Sequence, residues 1–181
     1  MKVLIEAEEI REAVEALGQR LAADYAGKTL TVVGVLTGSV MLLADLVRAM
    51  NLPLRISLIR ASSYRGAATH PGELEVDDQL LDDVSGRDVL LVDDIFDSGR
   101  TLDRLLDTLR GHHPASLRSA VLLWKTGRSE VEVEPDYHCF RIPDVFVVGY
   151  GLDYNGEYRY LPHIAGLDDQ DLVEPSDLGS H

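Results

Sequence analysis

The sequence predicts an α/β fold built on a mainly parallel twisted sheet flanked by helices, and three observations carry that prediction. A unit of strand, small-residue turn and helix occurs twice, over residues 29–50 and 88–109. The strands of both units are apolar and branched along their length (Val32-Val33-Gly34-Val35-Leu36 and Val89-Leu90-Leu91-Val92), the composition of strands covered on both faces. Each is followed by apolar residues at helical period: Leu43, Leu46, Val47 and Met50, then Leu102, Leu105, Leu106 and Leu109.

In chain order, Ile10, Val14, Leu17 and Leu21 mark a helix over 7–26 with one buried stripe, and Gly27 is its expected stop. Residues 29–36 form a strand, and Thr37-Gly38-Ser39 turns the chain into a helix over 40–50. Taken alone, that turn is a helix start with Ser39 as the capping residue. If the strands at 29–36 and 89–92 are neighbours, however, their two turns line the same end of one sheet. Pro53 breaks the chain before a strand at 54–59. Residues 61–72 are small, polar and aperiodic, long enough for a binding lid and equally suited to a plain surface excursion. A short strand is expected at 74–76.

The central stretch then runs from strand (89–92) through Asp93 and Asp94 to the turn Asp97-Ser98-Gly99-Arg100-Thr101 and a helix. A helix opening from a Gly-containing loop presents unpaired amides and a positive dipole end to an anion. Solvated aspartates at a strand end are the commoner meaning of such a segment. Here Ser98, Gly99 and Thr101 crowd beside Asp93, Asp94 and Asp97, which favours a site for an anion with hydroxyls or a divalent metal alongside. The adjacent His112 and His113 leave the helix without a partner at ligand spacing, so no metal is assigned to them. A strand at 119–124 ends at Lys125, either a solvated cap or a ligand contact; its place at the carboxyl end of a strand favours contact. Strands follow at 137–142, with Cys139 as a core residue, and at 145–150. From Asp168 the tail is acidic, aperiodic and expected to be disordered.

Composition narrows the function. The chain has 181 residues, 45% hydrophobic and 27% charged, the size and balance of one folded domain. A net charge of −14 disfavours nucleic-acid binding, since phosphate neutralisation needs surplus Lys and Arg. The lone Cys139 leaves no intrachain disulfide and no cysteine metal cluster. Neither a signal peptide nor an apolar run of about 20 residues is present, so a soluble cytoplasmic protein without membrane contact is expected. The absence of a G-x-x-x-x-G-K-[ST] motif argues against a nucleoside triphosphatase.

Residues 89–102 (Val-Leu-Leu-Val-Asp-Asp-Ile-Phe-Asp-Ser-Gly-Arg-Thr-Leu) resemble the phosphoribosyl-pyrophosphate signature of type I phosphoribosyltransferases. Leu36-Thr37-Gly38-Ser39 is similar to their pyrophosphate loop, and Ser63-Tyr64 falls where their mobile catalytic loop lies. Lys125, the run Phe146-Val-Val-Gly-Tyr-Gly-Leu-Asp153 and Arg159-Tyr-Leu-Pro-His163 resemble the hypoxanthine-guanine branch. The resemblance keeps order and spacing from about Val33 to His163. It implies a single phosphoribosyltransferase domain over 1–167, with a small hood from about 126–167, and a homodimer or homotetramer. It implies transfer of 5-phosphoribosyl from its pyrophosphate to a 6-oxopurine, with Mg²⁺. Asp97, Ser63 and Tyr64 would then be catalytic. Asp93, Asp94, Asp97, Ser98, Gly99, Arg100, Thr101, Leu36, Thr37, Gly38 and Arg159 would bind the donor. Lys125, Phe146, Val147 and Asp153 would bind the base, and Asp93, Asp94 and Asp153 would serve the metal. One departure stands out: some members carry a basic residue at the Thr37 position, so here that loop would rely on amides.

Two rivals compete. A receiver-type signalling domain would carry its acidic pair near the N-terminus rather than past residue 90. A phosphoribosyltransferase-like RNA-binding regulator would want a basic face, which the net charge opposes.

Overall fold

The computed structural model describes residues 1–63, 74–168 and 171. Chain order is β1 (Lys2–Ile5), α1 (Ala7–Asp24), β2 (Leu30–Leu36), α2 (Val40–Met50), β3 (Arg55–Ser63), β4 (Leu74–Asp77), β5 (Asp88–Phe96), α3 (Arg100–Arg110), β6 (Ser116–Lys125), β7 (Tyr137–Ile142), β8 (Phe146–Val148) and β9 (Ile164–Leu167). Six strands make the main sheet in the order β4-β3-β2-β5-β6-β7, parallel except for β4. The remaining three form a separate antiparallel sheet, β1-β9-β8.

The two-residue period of a strand divides the core between the faces of the main sheet. Leu30, Val32, Leu90, Val92, Ala120 and Leu122 pack with the stripes of α1 and α2. Their neighbours Val33, Val35, Val89, Leu91 and Val121 pack with Leu102, Leu105, Leu106 and Leu109 of α3. Each such buried Val or Leu stabilises the fold by roughly 1.5–3 kcal/mol relative to exposure. Between the two helices on the first face, Gly18 of α1 meets Ala49 of α2 so closely that an added Cβ would lie 2.5 Å from the Ala49 Cβ.

This arrangement creates a crevice. From β2 the chain crosses through α2 to β3 on one side, and from β5 it crosses through α3 to β6 on the other. The carboxyl ends of β2 and β5 are therefore adjacent while their continuations diverge, the position where open α/β sheets bind ligands. Pairing of Gly34 with Val92 sets the register and brings the 36–38 turn beside Asp93 and Asp94.

The α/β class and the parallel sheet agree with the sequence reading, and several boundaries differ. β5 runs through the acidic pair to Phe96, because Asp93 and Ile95 keep pairing with β6 at Val121 and Leu123. β3 extends to Ser63 and pairs back with β4, so residues 61–63 are strand rather than loop. Tyr64 and the rest of 64–73 lie outside the described residues, as does most of the acidic tail with the disorder expected of it.

Two expectations need correction, and one element is added. The strand expected over 145–150 is only Phe146–Val148, since Gly149, Tyr150 and Gly151 all have positive φ and leave extended geometry. Ser39 does not cap α2 through its side chain: its hydroxyl donates 2.6 Å to the Val35 carbonyl, tying the turn back to β2. Residues 2–5, which carry no signal of their own in the sequence, form the edge strand β1.

Candidate active site

Three loops meet at the crevice. At the end of β2, Leu36, Thr37 and Gly38 follow one another through a cis Leu36–Thr37 peptide. Gly38 lies against the carboxylate of Asp94, so a Cβ there would fall 1.7 Å from Asp94 Oδ2. At the end of β5, Asp93 is 7% exposed and accepts the Asp94 amide on Oδ1 at 2.9 Å. Burial pushes the Asp93 carboxyl well above the ordinary carboxylate range, and the Asp94 charge adds to the shift. Asp94 is raised by burial as well, with the Asp93 hydrogen bond, its own chain amides and the Arg159 charge opposing. Two adjacent desolvated carboxylates are a site that hydroxyl donors or a cation would relieve.

Beyond the pair, Ser98, Gly99 and Thr101 open α3 and line a cavity of about 300 Å³ together with Thr37, Gly38, Asp93, Asp94 and Asp97. The first turn of α3 faces this space, where unpaired amides and the helix dipole favour an anion. Gly99 has no room for a side chain, because a Cβ would stand 2.4 Å from Val131 and 2.8 Å from the Phe96 ring. Arg100 is different: its side chain turns outward to pair with Glu130 and does not line the cavity.

A second cavity of about 220 Å³ adjoins the first. Lys125, Phe146, Val147 and Leu152 supply its own walls, while Asp94, Ile95, Asp97 and Asp153 belong to both spaces. Lys125 stands at the end of β6 with a side chain only 8% exposed, and its Nζ lies 3.1 Å from Asp97 Oδ2. Phe146 opens β8, 42% exposed, edge-on to Tyr154 at 5.5 Å between ring centres. Asp153 pairs with Arg159 at 2.8 Å, and Arg159 also donates to the Gly151 carbonyl at 2.5 Å.

Of the candidate site residues singled out in the sequence, Tyr64 lies outside the described residues, Arg100 lines neither cavity, and all the others apart from Ser63 line one or both. Ser63 ends β3, and Ala61 on the same strand reaches the first cavity. Ile95, Phe96 and Leu152 complete the walls without any polar signal to announce them. Arg128 and Asp144 were also missed, although both bind the polar edge of the second space. The only hint was a cation beside an otherwise acidic segment. Cys139 packs against the core, and burial pushes its thiol up to about 12, which suits a structural role.

Among the described residues no three His, Cys, Asp or Glu groups converge to hold a metal ion by themselves. Asp94 and Asp153 line both cavities, and Asp93 lines the first beside them. That donor set fits a hard cation such as Mg²⁺, which is commonly held by one or two carboxylates and completed by ligand phosphates. The arrangement thus provides a hydroxyl-lined end suited to an anion, a carboxylate middle and a second pocket with one buried ammonium.

Comparison with known proteins gives the same picture. The family model for the phosphoribosyl transferase domain matches residues 4–155. The hypoxanthine-guanine phosphoribosyltransferase of Streptococcus pneumoniae is 43% identical over 169 residues, 93% of this chain and 94% of that protein. The hypoxanthine phosphoribosyltransferase of Staphylococcus aureus superposes with a TM-score of 0.88 at 37% identity, covering 95% of this chain and 94% of the other. A ternary substrates complex of the Trypanosoma cruzi hypoxanthine phosphoribosyltransferase gives 0.87 at 37% identity, covering 95% and 97%. A match in sequence and in fold over nearly the whole length, around cavities of this make-up, places the chain in the phosphoribosyl transferase domain family, among the hypoxanthine-guanine phosphoribosyltransferases.

Proposed function

We propose that the two adjoining cavities receive the two halves of one reaction: transfer of 5-phosphoribosyl from phosphoribosyl pyrophosphate to hypoxanthine or guanine, giving the nucleotide and pyrophosphate. The observation that carries this is the shared wall, since Asp94, Asp97 and Asp153 face both the space at the start of α3 and the lysine-bearing one. A sugar carbon held at that boundary is within reach of both partners.

In this reading the α3 amides with Ser98, Gly99 and Thr101 hold the 5′-phosphate. Asp93 and Asp94 accept the ribose hydroxyls and favour positive charge that develops on the sugar as pyrophosphate leaves. Leu36, Thr37 and Gly38 hold the pyrophosphate through their main chain, with Arg159 giving charge-assisted bonds. Asp93 and Asp94 would hold Mg²⁺ and Asp153 a second such ion, which would supply positive charge to neutralise the donor's phosphates. The purine stacks on Phe146 and presents its other edge to the Val147 main chain. Lys125 donates to the 6-oxygen. As the purine nitrogen bonds to the sugar carbon and the carbon–oxygen bond to pyrophosphate breaks, Asp97 takes the proton that the imidazole ring must lose. A 6-amino group would face the Lys125 ammonium donor to donor, which disfavours adenine. Ser63 and Tyr64 are assigned to closure over the reacting atoms, which would protect the donor from water.

No helix among the described residues is long and apolar enough to cross a membrane. A cytoplasmic homodimer or homotetramer is part of the proposal, readable by sedimentation. The deciding experiment is a base panel of hypoxanthine, guanine, xanthine, adenine and uracil with the donor and Mg²⁺. Nucleotide from the 6-oxopurines and none from adenine or uracil is expected. No nucleotide from any 6-oxopurine overturns the reading, and loss of turnover on chelation tests the metal.

A further inference from the structure

Four side chains form a closed ring of alternating charge beside the second cavity. Lys125 Nζ lies 3.1 Å from Asp97 Oδ2 and 3.7 Å from Asp144 Oδ1. Arg128 closes the ring, with Nε 3.1 Å from Asp97 Oδ1 and Nη1 3.1 Å from Asp144 Oδ2. Two cations and two carboxylates balance, and only the lysine is buried. The other three side chains are between 37% and 50% exposed.

The base-site reading uses Asp97 and Lys125 and leaves Arg128 and Asp144 without a task. Their placement supplies one. A lysine is a compact charge on a flexible four-carbon stem, so a single carboxylate partner would draw it in and occupy its donors. Asp144 divides that attraction and leaves the ammonium between two partners, with a donor free for a third. Arg128 does the same for Asp97 through its rigid fork, which ties one carboxylate to the other. Both residues also sit on chain that shapes the site. Asp144 lies two residues before Phe146, in the link from β7 to β8. Arg128 belongs to the β6–β7 connection, whose Glu130 amide donates 2.8 Å to the Ser98 carbonyl. The same connection lays Val131 against Gly99.

We propose that Asp144 and Arg128 are positioning residues that aim Lys125 and Asp97 at the purine, and so set affinity and selectivity for the 6-oxo base. The proposal rests on the second cavity being the base site. It is tested by initial rates of the Mg²⁺-loaded enzyme against hypoxanthine and against phosphoribosyl pyrophosphate. For Asp144→Asn the KM for the base is expected to rise about tenfold, the size of one lost charge-assisted contact, while the donor KM stays within about twofold. Asp144→Glu should recover most of the loss, and Arg128→Met should give the same one-sided pattern.

If Asp144 acts through Lys125, Asp144→Asn adds less than about twofold to the base KM of Lys125→Ala. An unchanged base KM, a fall in kcat with both KM values unmoved, or additive effects in the double variant would each overturn the proposal. A parent enzyme that makes no nucleotide overturns the base-site reading itself, and the positioning role falls with it.

Discussion

Replacing Gly151 by alanine tests how closely the 149–151 turn must press on the 36–38 loop. Gly151 has φ +101°, and a Cβ there would lie 2.1 Å from the Gly38 carbonyl oxygen. The turn cannot retreat easily, because the Gly151 amide donates to the Arg159 carbonyl at 3.0 Å and the Arg159 guanidinium returns a bond to the Gly151 carbonyl. Left-handed backbone costs a residue with a Cβ roughly 1–2 kcal/mol. Overpacking against main chain adds about 1–3 kcal/mol. In a chain of this length each kcal/mol lowers Tm by about 2–4 °C, so a drop of about 4–20 °C is expected. Gly27→Ala is the control, since φ is +74° and nothing stands within 4 Å of the added Cβ. It carries the backbone strain alone, a drop of about 2–8 °C. The assay is a melting curve with donor saturation kinetics. Pushing the Gly38 carbonyl also moves the loop that packs on Asp94, so Gly151→Ala should raise the donor KM about tenfold while Gly27→Ala keeps the parent value. Equal Tm shifts and equal donor KM values for the two variants would refute the reasoning.

Three further outcomes are expected. Asp97→Asn should lower turnover by about 10²-fold with donor binding kept, the size of lost proton-transfer help, and unchanged turnover removes Asp97 from that role. Lys125→Ala should weaken hypoxanthine binding and relax rejection of adenine; a variant that binds hypoxanthine normally and still ignores adenine refutes the assignment. Asp93 and Asp94 both have raised carboxyls, so the folded chain holds protons more tightly than the unfolded one. Stability from that protonation is complete below the ordinary value of 3.8 and is lost as pH rises through the raised folded values. Asp93→Asn should therefore melt higher than the parent at neutral pH and show a flatter Tm–pH profile above 3.8; a parent-like slope would show that the pair carries no such penalty.

Much of the fold was legible because its signals are local. A continuous branched run such as Val89-Leu90-Leu91-Val92 needs cover on both faces, and the two stripes at helical period supply it. Boundaries set by pairing were less legible. Asp93 looks like the end of a strand, yet the β6 ladder carries β5 past it to Phe96. β1 was invisible for a related reason. Four residues, three of them exposed, have no pattern of their own, and their strand exists because β9, at the far end of the chain, offers an edge. The 145–150 run misled in the opposite sense, being apolar enough for a strand but bent by three successive positive φ values.

The candidate site divides along the same line. Asp93, Asp94, Asp97 and the Ser98–Thr101 turn lie within a few residues of one another at the end of a strand, so chain connectivity alone brings them together. Lys125 could be placed because strand ends in a parallel sheet share one edge, whereas Arg159, between β8 and β9, was placed only through the family resemblance. Arg128 and Asp144 had no such guide. Arg128 reaches Asp97 across 31 residues and Asp144 across 16, over a connection whose path no periodicity specifies. Burial patterns report where apolar side chains go and are silent on which exposed charges will pair. The acidic pair shows the reverse relation, a feature plain in sequence whose effect on the fold is unfavourable. Two adjacent carboxylates desolvated in the crevice oppose stability at neutral pH, and apolar residues there would relieve it. In the proposed reaction the groups able to offset that penalty, ribose hydroxyls and a cation, would arrive with the substrate, and binding energy gained there would be spent at the sugar carbon.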